Sequence, residues 1–145
     1  MCWEWPPTEF CRGRELNNME PETTKKTILL VEDDMDLRTV YSTVLISAGY
    51  EVIIATDGAE GLEQIKNANW DLLLLDIVLP RADGIGILKK ISDEKLKKGK
   101  IVVLTNLNND SIIHAAFDYG TDGYLIKSAI TPGNLLDEVK GFLSK

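Results

Sequence analysis

The sequence predicts an α/β domain, a doubly wound five-stranded parallel sheet with helices on both faces, and three observations predict it. Short apolar runs alternate five times with segments of helical period. The runs are rich in Leu, Ile and Val, as strands buried on both faces are. Right-handed crossovers leave few other arrangements open to strand and helix alternating in a chain of this length.

The runs "TILLV" (27–31), "EVIIA" (51–55), "LLLLD" (72–76), "IVVLT" (101–105) and "GYLIK" (123–127) read as the five strands. Five amphipathic stripes lie between and after them. The first is Leu37, Val40, Tyr41, Val44 and Leu45, the second Ala59, Leu62 and Ile65, and the third Ile85, Leu88 and Ile91. The fourth is Ile113, Ala116 and Phe117, and the fifth Leu135, Val139, Phe142 and Leu143; each stripe is read as core. Gly49 and Gly120 are placed to end helices, and Thr131 followed by Pro132 supplies an N-cap and a first-turn proline. Asp34 reads as a loop acid or the cap of the first helix, and Asp83 and Gly84 as turn and helix-start residues.

At 145 residues the chain is long enough for one domain with a core of its own and short for two. Its 44% hydrophobic and 27% charged residues place it among soluble globular sequences. A net charge of −7 works against coating phosphate backbones, so no direct contact with nucleic acid is expected. No apolar run nears the roughly 18 residues of a membrane span, and the start has neither the basic nor the apolar part of a secretory signal. No membrane insertion and a cytoplasmic location are therefore expected. Residues 1–25 lack any period, yet hold two of three tryptophans, three of five prolines and both cysteines, Cys2 and Cys11. They read as an extension outside the fold, with the domain at 26–145. Met19 is a candidate for the biological start; the alternative is that Trp3 and Trp5 dock on a partner as exposed anchors.

Ligands of open parallel sheets bind beyond the carboxyl ends of the strands, where strand order reverses. There the sequence places Glu32, Asp33 and Asp34 after the first strand, Asp76 at the end of the third, Thr105 at the end of the fourth and Lys127 at the end of the fifth. Crowded carboxylates repel, and need raised pKa values or a cation. Mg²⁺ suits them, since it takes one or two carboxylates together with waters and phosphate oxygens. A hydroxyl and an ammonium alongside suit the other oxygens of a phosphoryl group. The edge reads as a phosphoryl site whose nucleophile can itself be a carboxylate.

The stretches "ILLVEDDMDLR", "DLLLLDIVLPRADGIGILKKI", "IVVLTN" and "DGYLIK" resemble the receiver domain of bacterial two-component response regulators, from about Thr27 to Leu143. Acid pair, central Asp, Thr and Lys stand in that family's order and at its intervals. The resemblance implies a flavodoxin-like strand order, 2-1-3-4-5. It implies Asp76 as the phosphoacceptor, attacking a phosphohistidine on a sensor histidine kinase or a histidine phosphotransfer protein of a phosphorelay, or a small donor such as acetyl phosphate. It implies Glu32 and Asp33 as the pair that holds Mg²⁺, with Asp33 favoured as a direct ligand, Asp76 as a second and the Val78 carbonyl as a third. Thr105 is implied as the hydroxyl that swings toward the phosphoryl group and Lys127 as the ammonium that pairs with it. Tyr124 is implied as the ring that moves as the signal spreads, an ordinary core aromatic being the alternative. The expected output is contact between a downstream protein effector and the face formed by helix four, strand five and helix five. A stand-alone receiver is expected because the chain ends after the fifth helix, and slow self-dephosphorylation is expected in place of enzymatic turnover.

Two positions depart from the family's habit. Asn106 follows the strand-four Thr where a small residue is usual, and its amide is expected to narrow access to the phosphoryl group or hydrogen-bond to it and slow dephosphorylation, the alternative here and at the second position being family drift without consequence. Ser128 follows the lysine where a cis proline is usual, which leaves that loop trans or strained. His114, the sole histidine, reads as an ordinary residue of helix four. Three rivals fit less well. A phosphatase with an Asp nucleophile carries a second Asp two residues on, where Val78 stands. A receiver-fold scaffold without phosphorylation has no use for the intact set, and a nucleotide site wants glycines where "VEDDMD" supplies acids.

Overall fold

Each of the five apolar runs forms a strand. β1 (Thr27–Val31), β2 (Glu51–Ala55), β3 (Leu72–Asp76), β4 (Lys100–Thr105) and β5 (Gly123–Ile126) alternate with α1 (Met35–Ser47), α2 (Gly58–Asn67), α3 (Gly84–Asp93), α4 (Asp110–Asp118) and α5 (Pro132–Ser144). This computed structural model describes residues 25–78, 84–106 and 110–144, so the expectations for residues 1–24 and for Asp83 lie outside it. All strand pairs are parallel, in the order β2-β1-β3-β4-β5. β3 is central and every one of its residues is buried, which is why "LLLLD" shows no alternation of polarity.

The alternation reappears in which core each residue enters. Ile28, Leu30, Leu72, Leu74, Val102, Leu104 and Leu125 pack with Tyr41 and Leu45 of α1 and Leu135, Val139 and Phe142 of α5. Leu29, Val31, Leu73, Leu75, Ile101 and Val103 pack on the other face with Ile65 of α2, Ile87, Leu88 and Ile91 of α3, and Ala116 of α4. The helices begin where polar caps allow. Asp34 caps α1, its Oδ1 accepting from the N–H groups of Asp36 (2.9 Å) and Leu37 (3.2 Å). Asp57 caps α2 by accepting from Glu60 N–H at 2.9 Å, and Thr131 Oγ1 accepts from Asn134 N–H at 3.2 Å ahead of α5. After α1 and α4 the chain turns through Gly49 and Gly120, at φ 98° and 90°, the left-handed region that glycine enters without cost.

Three stripe positions are not core. Val40 is 42% exposed, Phe117 is 43% exposed, and Ala59 is also exposed. A helix lying on a sheet buries only one stripe of its surface, and these positions fall outside it. Phe117 packs edge-on against Tyr124 instead, with ring centroids 6.4 Å apart at 87°.

Bonds that the sequence reading passed over hold the amino pole of the sheet. Asp71 Oδ2 accepts from Thr27 N–H and Asp122 Oδ2 from Ile101 N–H, each at 2.8 Å. Lys98 Nζ donates to the carbonyls of Lys66 (2.8 Å) and Ala68 (2.6 Å) at the end of α2, and Lys97 Nζ to that of Gly120 (3.0 Å) after α4. Cations at helix C-termini satisfy carbonyls the helix leaves unpaired. No helix of the described residues is long and apolar enough to cross a membrane.

α3 starts against the end of β3. Gly84 N–H donates to Ile77 O at 2.8 Å, and a Cβ on Gly84 would stand 2.5 Å from Ile77 Cα. Backbone cannot yield as a flexible side chain can, so Gly84→Ala is expected to destabilise the fold by about 2 kcal/mol in urea unfolding; an unchanged midpoint would show that α3 can move off the strand.

Candidate functional site

β1 and β3 are hydrogen-bonded neighbours although the chain visits β2 between them, so their connections leave in opposite directions and a crevice opens at their carboxyl ends. Side-chain alternation decides what enters it. Ile28 and Leu30 of β1, Leu72 and Leu74 of β3, and Leu125 of β5 face the α1/α5 core, and the next positions on that face are Glu32, Asp76 and Lys127. Thr105 continues the row of Ile101 and Val103 on the opposite face, where Tyr124 meets Phe117 of α4.

One ammonium joins the two buried acids. Lys127 Nζ donates to Asp76 Oδ2 at 2.8 Å and to Glu32 Oε1 at 3.2 Å, and it lies 2.9 Å from Glu32 Oε2 as an ion pair outside hydrogen-bond geometry. Asp76 Oδ1 accepts from Val78 N–H at 3.0 Å, and Glu32 Oε1 accepts from Asp34 N–H at 3.2 Å. Backbone bonds hold the frame: Ile77 N–H to Leu104 O at 3.1 Å and Lys127 N–H to Thr105 O at 2.8 Å. Arg38 Nη1 donates to the carbonyls of Glu32 and Asp33, both at 3.2 Å, and so fixes the acid pair from α1.

These groups line a cavity of about 240 Å³ that Asp33, Val78 and Asn106 share. Larger cavities of about 400 and 320 Å³ open at the amino pole, but both are lined by Lys97, whose ammonium is committed to Gly120 O and Asp122. Size therefore does not mark the site; the convergence of polar groups does.

Burial pushes the Glu32 carboxyl from the usual carboxylate range up to about 7, with neighbouring Asp76 adding to the rise and Lys127 and the Asp34 N–H opposing it. For Lys127, burial disfavours the ammonium, but its bonds to Asp76 and Glu32 outweigh that and hold its pKa above the ordinary lysine value. Glu32, Asp33 and Asp76 each bring a carboxylate oxygen within 4.8 Å of the others'. Glu32 Oε2 is fully buried and accepts no hydrogen bond. An all-oxygen set with an unsatisfied acceptor fits a hard divalent cation such as Mg²⁺.

Of the residues singled out in the sequence, Glu32, Asp33, Asp76, Val78, Asn106 and Lys127 meet at this cavity, and Thr105 is buried beside it at the end of β4. Tyr124 does not join them; its ring is 41% exposed on the α4 face, so the core-aromatic alternative fails. Asp34 serves as a helix cap. Ser128 and His114 are exposed. Arg38 and the Tyr41 hydroxyl were missed, since only the tertiary packing of α1 brings them to the acids.

The raised Glu32 pKa gives a signed pH dependence. Between about pH 4.5 and 7 the unfolded state has lost this proton while the folded state keeps it, so Glu32 makes the metal-free protein less stable as pH rises through that window. Glu32→Gln is expected to flatten the slope of unfolding free energy against pH there; identical slopes in the two proteins would show that Glu32 ionises normally.

Residues 28–140 match the family described as response regulator receiver domain. A curated relative, the "Uncharacterized transcriptional regulatory protein YclJ" of Bacillus subtilis, is 31% identical over 118 residues, covering 81% of this chain and 51% of that protein. The alkaline phosphatase synthesis transcriptional regulatory protein PhoP of the same species is 32% identical over 120 residues, 83% of this chain and 49% of that one. The chain thus spans about half the length of these relatives. Among solved structures, the CheY-like response regulator receiver domain protein from Methanospirillum hungatei superposes with a TM-score of 0.77 at 33% identity, covering 83% of this chain and 95% of that one. A two-component response regulator from Clostridium difficile gives a TM-score of 0.77 at 30% identity, with coverage of 83% and 98%. Strand order and a match over residues 28–140 agree, and the chain belongs to the response regulator receiver domains of two-component systems.

Proposed function

We propose that this receiver accepts a phosphoryl group on Asp76 from a phosphohistidine of a sensor kinase or histidine phosphotransfer protein, and that phosphorylation switches a protein-binding face. The observation that carries the reading is the setting of Asp76: a buried carboxylate at the sheet's switch point, held by Val78 N–H and the Lys127 ammonium and bordering a cavity. A carboxylate so fixed is pre-positioned as a nucleophile.

In the transfer, an Asp76 oxygen forms a bond to phosphorus while the donor's P–N bond breaks, and the donor imidazole leaves with that electron pair. The product is an acyl phosphate on Asp76. Lys127 is already at Oδ2 and pairs with the incoming phosphoryl oxygens. Thr105 supplies a hydroxyl from the neighbouring strand end. Glu32, Asp33 and Asp76, with the Val78 carbonyl, would hold Mg²⁺, which when bound neutralises charge on the phosphoryl oxygens. Tyr124 is outward here and leans on Phe117; its rearrangement would alter the face formed by α4, β5 and α5, to which a protein effector binds. A phosphatase reading gains no support, because Val78, two residues after Asp76, has no acid or base to offer.

Incubation with Mg²⁺ and acetyl phosphate is expected to give a base-labile adduct of one phosphoryl group by intact mass, absent in Asp76→Asn. Rapid donor consumption without an adduct would favour a phosphatase, and no adduct with acetyl phosphate or candidate kinases would favour a scaffold. Asn106 is exposed at the mouth of the cavity, where its amide can shield an acyl phosphate from water. Asn106→Ala is expected to speed decay of the phosphorylated protein severalfold; an unchanged half-life would remove Asn106 from the control of lifetime.

A further inference from the structure

Tyr41 of α1 is 3% exposed, and its hydroxyl has no hydrogen-bond partner. Buried tyrosine hydroxyls usually find one, because an unsatisfied buried donor keeps its full desolvation cost. The surroundings of Tyr41 are specific. It belongs to the same core layer as Leu30, Leu74 and Leu125, which stand two residues before Glu32, Asp76 and Lys127 on the same sheet face, so the three polar groups continue the rows of the layer that holds the ring. Leu37, one turn earlier on α1, lines the acidic cavity, and Arg38 bonds the Glu32 carbonyl. The negative charge of Glu32 reaches the phenol: after burial, it is the next largest influence holding the Tyr41 proton on.

Glu32 Oε2 has the complementary defect. It is a buried acceptor with no hydrogen-bond donor, although the Lys127 ammonium stands 2.9 Å away. A donor lacking an acceptor and an acceptor lacking a donor thus occupy one end of one core.

We infer that Tyr41 is a positioning residue for Glu32: its hydroxyl donates to the Glu32 carboxylate once the Lys127 ammonium is drawn to a phosphoryl group on Asp76. This rests on the phosphoacceptor reading above. In the resting protein one ammonium serves Asp76 Oδ2 and both oxygens of Glu32. A phosphoryl group attached to Asp76 competes for that ammonium with more negative charge, and the buried Glu32 oxygen that gives up the ammonium and does not face Mg²⁺ needs another donor. Two buried hydroxyls among the described residues lack a partner, Tyr41 and Thr121; Tyr41 belongs to the core layer that Glu32 continues, whereas Thr121 follows α4 beside Asp122 at the amino pole.

Tyr41→Phe keeps the ring and removes only the hydroxyl. Calorimetric titration with Mg²⁺ plus beryllofluoride, a phosphoryl analogue, is expected to show binding roughly tenfold weaker in the variant. Mg²⁺ alone should bind both proteins alike, and the metal-free melting temperature should stay level or rise because an unsatisfied buried group has gone. Equal beryllofluoride affinity in both proteins overturns the inference and leaves the phosphoacceptor reading standing. A metal-free melting temperature that falls with the affinity also overturns it, since the hydroxyl would then belong to the resting fold. A wild-type protein that ignores beryllofluoride overturns the phosphoacceptor reading and the inference with it.

Discussion

Two carboxylates on hydrogen-bonded neighbouring strands, both buried and both facing the same layer, cannot stand side by side without a counter-charge. Lys127 supplies it. Because β1 and β3 are adjacent and β5 lies two strands beyond β3, the ammonium that reconciles Glu32 with Asp76 also joins the end of β5 directly to those of β1 and β3, which the backbone ladder links only by way of β4. The N–H of the same residue is bonded to Thr105 O, so β4 is drawn into the same unit. Polar groups at this edge are therefore coupled: what changes the charge on Asp76 changes what Lys127 can offer Glu32, and Glu32 has little else to turn to.

The strands could be read from the chain because parallel strands buried on both faces require unbroken apolar runs, and each of the five is bounded by polar or glycine-rich stretches. The acids and the lysine could be placed because they directly follow those runs, so their position depends on local geometry alone. Asp71, Asp122, Lys97 and Lys98 could not, since an Asp beside a strand or a lysine in "KLKKGK" has the composition of any solvated turn, and its partner lies 20 residues or more away. Tyr41 shows the boundary within one side chain. Its ring follows from helical period, whereas the isolation of its hydroxyl depends on how α1 is set down on the sheet. Val40 and Phe117 mark the opposite failure, where period counted as core what the width of the contact left outside.

The sheet divides the labour. Glu32, Asp76 and Lys127 continue the rows that face α1 and α5, whereas Thr105 and Tyr124 belong to the face covered by α2, α3 and α4. The carboxylates and the Phe117–Tyr124 pair thus stand on opposite faces of the sheet, and between them, at the ends of β4 and β5, Lys127 N–H meets Thr105 O. Thr105 pairs with Ile126 in the same parallel ladder.

The far end of α4 is secured by polar bonds. Behind the helix, Asp122 N–H bonds Ile101 O at 2.7 Å, the Asp122 carboxylate accepts from Ile101 N–H, and Lys97 fastens Gly120 O. α4 is thus anchored to the start of β4 at its C-terminal end. Ala116 and Ile112 seat the helix on the core, so α4 is held along its length, and its other end stands on the side of the molecule where Thr105 and Asn106 emerge. The helix thus spans the molecule from the carboxylate edge to the opposite pole, apolar contacts along its length and polar bonds concentrated at its exit.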